Sequence, residues 1–226
     1  MKGHVIVVSG TGTGVGKTHV GAALLRAWAS RGLAVCGYKP VETGVAGDEG
    51  ADIRALRLAS SFHVKPAARS TTYRDPISPH LAARLEGRAI DIFDIASEVS
   101  RLRSLAAGVL VELAGGLFSP LTASHTCADV VALLGDSALL IVAPDRIGVL
   151  HDVGATWRAA RGIGIVPMGV TLTTPEQPDR STGTNASEIS AVCKVPVLAV
   201  IPRDPVETLA LGQPIAQLLS ALTPHR

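Results

Sequence analysis

The residues with the most chemistry to offer lie in one short stretch, GTGTGVGKT, Gly10 to Thr18. An apolar β-like run, Val5 to Val8, precedes it, and a long amphipathic run ending near Arg31 follows. Strand, glycine-rich loop and helix N-terminus together make a phosphate site. Successive backbone N–H groups in such a loop point inward at an anion, and the helix behind them adds partial positive charge. Lys17 is placed to reach the β- and γ-phosphates of a nucleotide, and the Thr18 hydroxyl to ligate Mg²⁺. The strict pattern GxxxxGK[ST] would need its first glycine at position 11, where this chain has Thr11; Gly10 stands one residue early, so the loop is one residue longer. An ordinary glycine-rich turn is the alternative, and the flanking strand and helix argue against it.

Three more charged residues stand where such a loop would use them. Ala34 to Lys39 reads as a buried strand closing a βαβ unit, so Lys39 sits at a strand's carboxyl end, where open parallel sheets bind ligands. Gly108 to Glu112 is a second buried strand ending in a carboxylate, followed by Ala114-Gly115-Gly116. An acid there resembles the metal-holding carboxylate of phosphate-loop enzymes, although a solvent-facing strand end would look the same. Asp52 opens a helical stretch, where its carboxylate either serves the helix dipole or serves the site.

These residues need a frame, and the chain supplies one by alternating strands and helices. After the loop, Val20, Ala23, Leu24, Ala27 and Trp28 recur at helical spacing, and Gly32 marks a C-terminus after Arg31. Glu42 to Gly50 reads as irregular, Asp52 to Ser60 as a helix, and Arg69 to Pro79 as a connector without an element of its own. Helices are expected at Ser78 to Gly87, Ile92 to Leu105, Ala128 to Leu134, Gly148 to Ala160, Ala186 to Val192 and Leu209 to Leu222. Further strands are expected at Ala138 to Ala143, Met168 to Thr173 and Val197 to Ile201, with Pro175 to Gly183 a polar loop. The expected architecture is α/β, a single doubly wound domain over residues 1–226 with a mainly parallel, P-loop NTPase-like sheet.

Composition excludes several alternatives. With 226 residues, 47% of them hydrophobic, the chain can bury one substantial core. Twenty-one Lys and Arg against 19 Asp and Glu leave a net charge of +2, too small to suggest a nucleic-acid or membrane surface. Cys36, Cys127 and Cys193 are far apart and form no CxxC pair, so neither zinc nor a disulfide framework is signalled; a reducing, cytoplasmic setting fits. The apolar N-terminal run leads directly into the phosphate loop and reads as a first strand rather than a signal peptide.

Together the motifs resemble the ATP-dependent dethiobiotin synthases. The resemblance rests on GTGTGVGKT with its extra residue, GYKPVETG (Gly37 to Gly44), SPHLAARLEG, GGLFSPL (Gly115 to Leu121) and TCADVV (Thr126 to Val131), in that order. It is close from Val5 to about His151 and looser beyond. It implies an ATP-dependent cyclo-ligase of biotin biosynthesis that carboxylates 7,8-diaminononanoate with CO₂ and closes a ureido ring. Lys39 and Lys17 would be catalytic, with Thr18, Asp52 and Glu112 on Mg²⁺. Gly14, Val15, Gly16, Lys17, Thr18, His19, Asp52, Glu112, Leu113, Ala114 and Gly115 would line ATP, with Leu172, Thr173, Pro202, Arg203 and Asp204 toward its base. Thr13, Lys39 and Thr43 would contact the substrate. The family's homodimer would bring Gly148, Val149, Leu150 and His151, a helix start with unpaired N–H groups, to the substrate carboxylate across the interface.

Three positions depart from the family pattern. Leu113 stands where a glycine is common, His151 where an asparagine often meets the substrate, and Leu172 where an asparagine often reads adenine. Leucine cannot hydrogen-bond through its side chain, so Thr173 or the backbone of Pro202 to Asp204 is the expected substitute, and discrimination between ATP and other triphosphates is expected to be weak. Rival readings are a carboxylate-activating synthase of similar architecture, a partitioning ATPase, and a diverged paralogue that has lost the reaction. The first should lack SPHLAARLEG and GGLFSPL; the second carries an early loop lysine where this chain has Gly10-Thr11-Gly12.

Overall fold

The computed structural model describes residues 3–223. In chain order the elements are β1 His4–Gly10, α1 Lys17–Ala29, β2 Val35–Tyr38, β3 Val41–Thr43, α2 Ala51–Ala59, β4 Thr71–Tyr73, α3 Pro79–Glu86, α4 Ile92–Leu105 and β5 Gly108–Glu112. They continue with α5 Cys127–Leu134, β6 Ala138–Pro144, α6 Val149–Gly162, β7 Gly169–Thr173, α7 Asn185–Glu188, a π-helical turn Ile189–Cys193, β8 Val197–Ile201, α8 Val206–Leu211 and α9 Gln213–Leu222.

Six strands form one sheet in the order β2-β5-β1-β6-β7-β8, every neighbouring pair parallel. Its central strands are predominantly apolar and buried because both faces are covered, whereas the edge strand β8 is only partly buried. Residues of β1 divide by parity: Val5 and Val7 face a core with Val99, Leu102 and Val153, while Ile6 and Val8 face one with Leu24, Trp28, Leu56 and Leu219. Close packing of α1 requires a bare backbone at Gly108, where an added Cβ would lie 2.4 Å from the Trp28 ring. The parallel arrangement puts Gly10, Tyr38, Glu112, Pro144, Thr173 and Ile201, the strand carboxyl ends, along one edge. That edge is where a doubly wound sheet binds its ligand.

Four expectations need correction. The stretch from Arg69 to Pro79 is not merely a connector: β4 pairs in parallel with β3, with Val41 opposite Thr71. Thr71 N donates to Pro40 O at 2.8 Å, and buried Tyr73 donates its hydroxyl to Arg88 O at 2.7 Å. The same pairing gives the irregular Glu42 to Gly50 segment a strand at its start. The C-terminal helix is two, separated at Gly212, whose extended backbone (φ −80°, ψ 152°) cannot continue a helix and precedes Pro214 in the first turn of α9. The helix expected over Ala186 to Val192 is one α-turn followed by a π-turn. Among the described residues, no helix is long and apolar enough to cross a membrane.

One buried ion group fixes α4 against the segment before β4. Glu98, 1% exposed, accepts from Arg101 Nη2 at 2.6 Å and Nε at 2.9 Å, and from Arg69 N at 3.2 Å. The Arg101 hydrogen bonds hold its carboxyl below the ordinary value of 4.5. A carboxylate so depressed contributes its stability above that ordinary value and loses it as pH falls through the folded value. Glu98→Gln should therefore cost about 1–2 kcal/mol near neutrality. In urea titrations the gap to the parent protein should narrow progressively as pH falls below the ordinary value of 4.5; a gap that stays constant as the solution is acidified past that point would show that the charge of Glu98 does not matter.

Candidate active site

The phosphate loop leaves β1 and enters α1 through two left-handed glycines, Gly14 (φ +72°) and Gly16 (φ +89°). Only glycine takes that conformation cheaply, which explains their presence around Val15. Thr11 N donates to Val142 O at 3.0 Å and Leu117 N to Gly10 O at 3.0 Å, so the lengthened part of the loop is tied to β6 and to the segment after β5. Lys17 is buried and lies back across its own loop, Nζ donating to Gly12 O at 2.9 Å. Burial lowers the pKa of its ammonium, against the pull of Glu112.

Beside the loop lies a compact charge cluster. Lys39 Nζ is 2.6 Å from Asp52 Oδ2 and 2.6 Å from Glu112 Oε1, and Thr18 Oγ1 donates to the same Glu112 oxygen at 2.9 Å. Lys39 is 5% exposed and Glu112 fully buried, whereas the Asp52 side chain is 39% exposed. Burial alone would lower the pKa of Lys39; the charges of Glu112 and Asp52 override it and raise the pKa, so Lys39 is held as a cation. Burial would likewise raise Asp52, and Lys39 pulls it below its ordinary value. The strand-end alternative for Glu112 is thereby closed: it faces no solvent.

Each member is delivered by a different element. β2 runs into Lys39, β5 ends at Glu112, and α2 presents Asp52 in its first turn. The start of α2 is capped from afar: Glu42 on β3 accepts from Asp52 N at 3.1 Å and Ile53 N at 2.9 Å. Glu42 is pressed against Gly50 so closely that a Cβ there would overlap its carboxylate. Glu42 is not among the residues expected from the sequence, because a cap ten residues away leaves no local motif.

Thr18, Asp52 and Glu112 offer hard oxygen donors of the type Mg²⁺ prefers. Glu112 Oε2 is buried with no hydrogen-bond partner, an acceptor that a cation would satisfy. Among the described residues, no group of three or more His, Cys, Asp or Glu is arranged for a metal, so a metal here would depend on the mixed hydroxyl and carboxylate set.

A cavity of about 700 Å³ opens over this cluster. Of the expected residues, Thr13, Gly14, Gly16, Lys17, Thr18, His19, Lys39, Thr43, Asp52, Glu112, Ala114 and Gly115 line it. So do Ser78, Pro79 and Ser119, which lie in the SPHLAARLEG and GGLFSPL runs. A second cavity of about 510 Å³ adjoins it across the loop and is lined by Val15, Thr173, Pro202 and Arg203, together with Arg146, Thr174 and Glu176.

Other expected residues lie elsewhere. Leu113 is 2% exposed and Leu172 fully buried, both with side chains in the core, and neither they nor Asp204 line the two cavities. The leucine at position 113 is thus accommodated beneath the site rather than in it. Gly148, Val149, Leu150 and His151 line neither cavity. Val149 N and His151 N already donate to Arg146 O and Gly148 O, at 3.1 and 3.0 Å, so this helix start has fewer unpaired N–H groups than expected.

Comparison with known proteins bears on the fold and the family. A family model described as an AAA domain matches residues 4–208. Among solved structures, the septum site-determining protein MinD of Pyrococcus horikoshii, complexed with Mg-ADP, is similar with a TM-score of 0.60 at 19% identity, covering 97% of this chain and 95% of its own. A ParA family ATPase from Chlorobium tepidum is similar with a TM-score of 0.55 at 15% identity, covering 95% and 92%. At such identities these two show a shared P-loop NTPase fold. The curated relatives are more informative. The ATP-dependent dethiobiotin synthetase BioD of Anaeromyxobacter dehalogenans is 39% identical over 204 residues, 88% of this chain and 90% of that protein. Those of Corynebacterium efficiens and Streptomyces coelicolor are each 36% identical, over 88% of this chain and 89% and 83% of theirs. The chain belongs to the ATP-dependent dethiobiotin synthetase family.

Proposed function

We propose that the protein joins CO₂ to one amine of 7,8-diaminononanoate, phosphorylates the resulting carbamate with ATP, and closes the ureido ring as the second amine displaces phosphate. The observation that carries this reading is Lys39, a buried cation at a strand end beside a phosphate loop. An anionic carbamate must approach an anionic γ-phosphate, and that encounter needs fixed positive charge in a site with little water.

An amine nitrogen attacks CO₂ and loses a proton, leaving a carbamate. A carbamate oxygen attacks the γ-phosphorus as the bond to ADP breaks, giving a carbamic-phosphoric anhydride. The other amine attacks the carbonyl carbon, the bond to phosphate breaks, and a proton is lost. The loop amides and Lys17 would hold the phosphates, and Lys39 would lie between carbamate and γ-phosphate, acting by charge and position rather than by a covalent bond. Thr13 and Thr43 face the same cavity and would orient the diamine. Mg²⁺ would be held by Thr18, Asp52 and Glu112 and would neutralise charge on the β- and γ-phosphates. His151 and the start of α6, which line neither cavity of their own chain, would meet the substrate carboxylate in a homodimer. Ile147 beside them is 74% exposed, which suits a covered surface.

Purified protein incubated with diaminononanoate, bicarbonate, ATP and Mg²⁺ should form dethiobiotin, detected by mass. Phosphate release independent of the diamine, without product, would favour a diverged ATPase. Lys39→Ala should abolish ring closure, and near-normal turnover by that variant would remove Lys39 from the chemistry. Because Leu172 is buried and apolar, GTP and CTP should compete effectively with ATP in the same assay; a steep preference for ATP would show that the backbone of Pro202 to Asp204 reads the base on its own.

A further inference from the structure

Thr173 was expected to help read the nucleotide base, yet its hydroxyl is engaged elsewhere. Thr173 Oγ1 donates to Val15 O at 2.9 Å, with Ala143 O at 3.4 Å as a second acceptor. A hydroxyl has one hydrogen, and Val15 is the better partner. The γ-methyl is equally committed: a Cβ on Gly16 would lie 2.9 Å from it. The threonine itself cannot drift, since Thr173 O accepts from Asp145 N at 2.8 Å and Thr174 N donates to Ile201 O at 3.0 Å.

The consequence follows from peptide planarity. In a trans peptide the C=O and the next N–H point in opposite directions. Pinning Val15 C=O to the end of β7 therefore turns Gly16 N–H the other way. Gly16, at φ +89°, supplies one of the two torsions that turn this peptide and carries no Cβ to restrict it, so an external pin has something to decide.

We infer that Thr173 is a positioning residue for phosphate binding: through Val15 it fixes the Gly16 N–H of the loop, and it does not read the base. The inference rests on the assignment of Gly10 to Thr18 as the phosphate loop and goes beyond it.

The probes are ATP and inorganic tripolyphosphate, which has phosphates and no base, with affinities read by calorimetry. Thr173→Val keeps the shape and removes the hydroxyl; it should weaken both ligands by a similar factor, about tenfold for one lost hydrogen bond. Thr173→Ser keeps the hydroxyl and should restore both affinities, which a purely structural role for the branched side chain would not allow. Thr173→Ala repeats the loss without relying on the isostere, and thermal unfolding checks that each variant is folded. Weaker ATP binding with unchanged tripolyphosphate binding would make Thr173 a base reader and overturn the inference, as would unchanged binding of both. Lys17→Ala should also weaken tripolyphosphate; if it does not, the phosphate-loop assignment itself fails, an outcome distinct from failure at Thr173.

Discussion

Lys39 is a charge that could not be buried alone. Removing an ammonium from water is costly unless partners replace the lost solvation, and here two carboxylates at 2.6 Å do so. Much of the site follows from that requirement. Glu112 must end β5 beside β2, Asp52 must open α2 at the right height, and Glu42 must hold the start of α2 by its backbone. The cation is thus fixed before any ligand arrives, and its orientation need not be gained at the moment of reaction.

The sheet explains why these groups meet. Its order, β2-β5-β1-β6-β7-β8, sets the strands carrying Lys39, Glu112 and the phosphate loop side by side. On the other side of β1, β6 and β7 brace the loop through Val142 and Thr173. The charge cluster lies on one flank of the loop and conformational support on the other. The two adjoining cavities share Thr13, Gly14, Gly16 and His19, so the loop itself is the wall between the cavity over the charge cluster and the one toward Pro202 and Arg203.

Long apolar periodicities were legible in the sequence. The bounds of α4 and β5 match the expected Ile92 to Leu105 and Gly108 to Glu112, because each is a run buried against the core, and those of β8, a partly buried edge strand, match the expected Val197 to Ile201. The charged centre was legible too, since a lysine and a glutamate at strand ends beside a phosphate loop have few other uses. The three-residue pair of β3 and β4 was not, as so short a strand carries no period, nor was the break at Gly212, where an apolar pattern continues through a bend. Thr173 is expected from the sequence only toward the base, and Glu42 not at all, because one bonds a loop carbonyl and the other caps a helix through backbone atoms distant in the chain. Leu172 looked like a vacancy in base recognition, and the fold shows why its side chain contributes nothing there: it faces the core.

Phosphoryl transfer to a carbamate oxygen is the central event of the proposed reaction, and that oxygen originates in CO₂. The most direct measurement is to start the reaction with ¹⁸O-labelled CO₂ and follow the label at times short against its exchange with water. Inorganic phosphate carrying one ¹⁸O for each dethiobiotin formed is the expected result, because ring closure expels the oxygen that attacked phosphorus. Unlabelled phosphate formed in step with dethiobiotin would contradict it, since the γ-phosphoryl group would then have gone to water and Lys39 would have no carbamate to place.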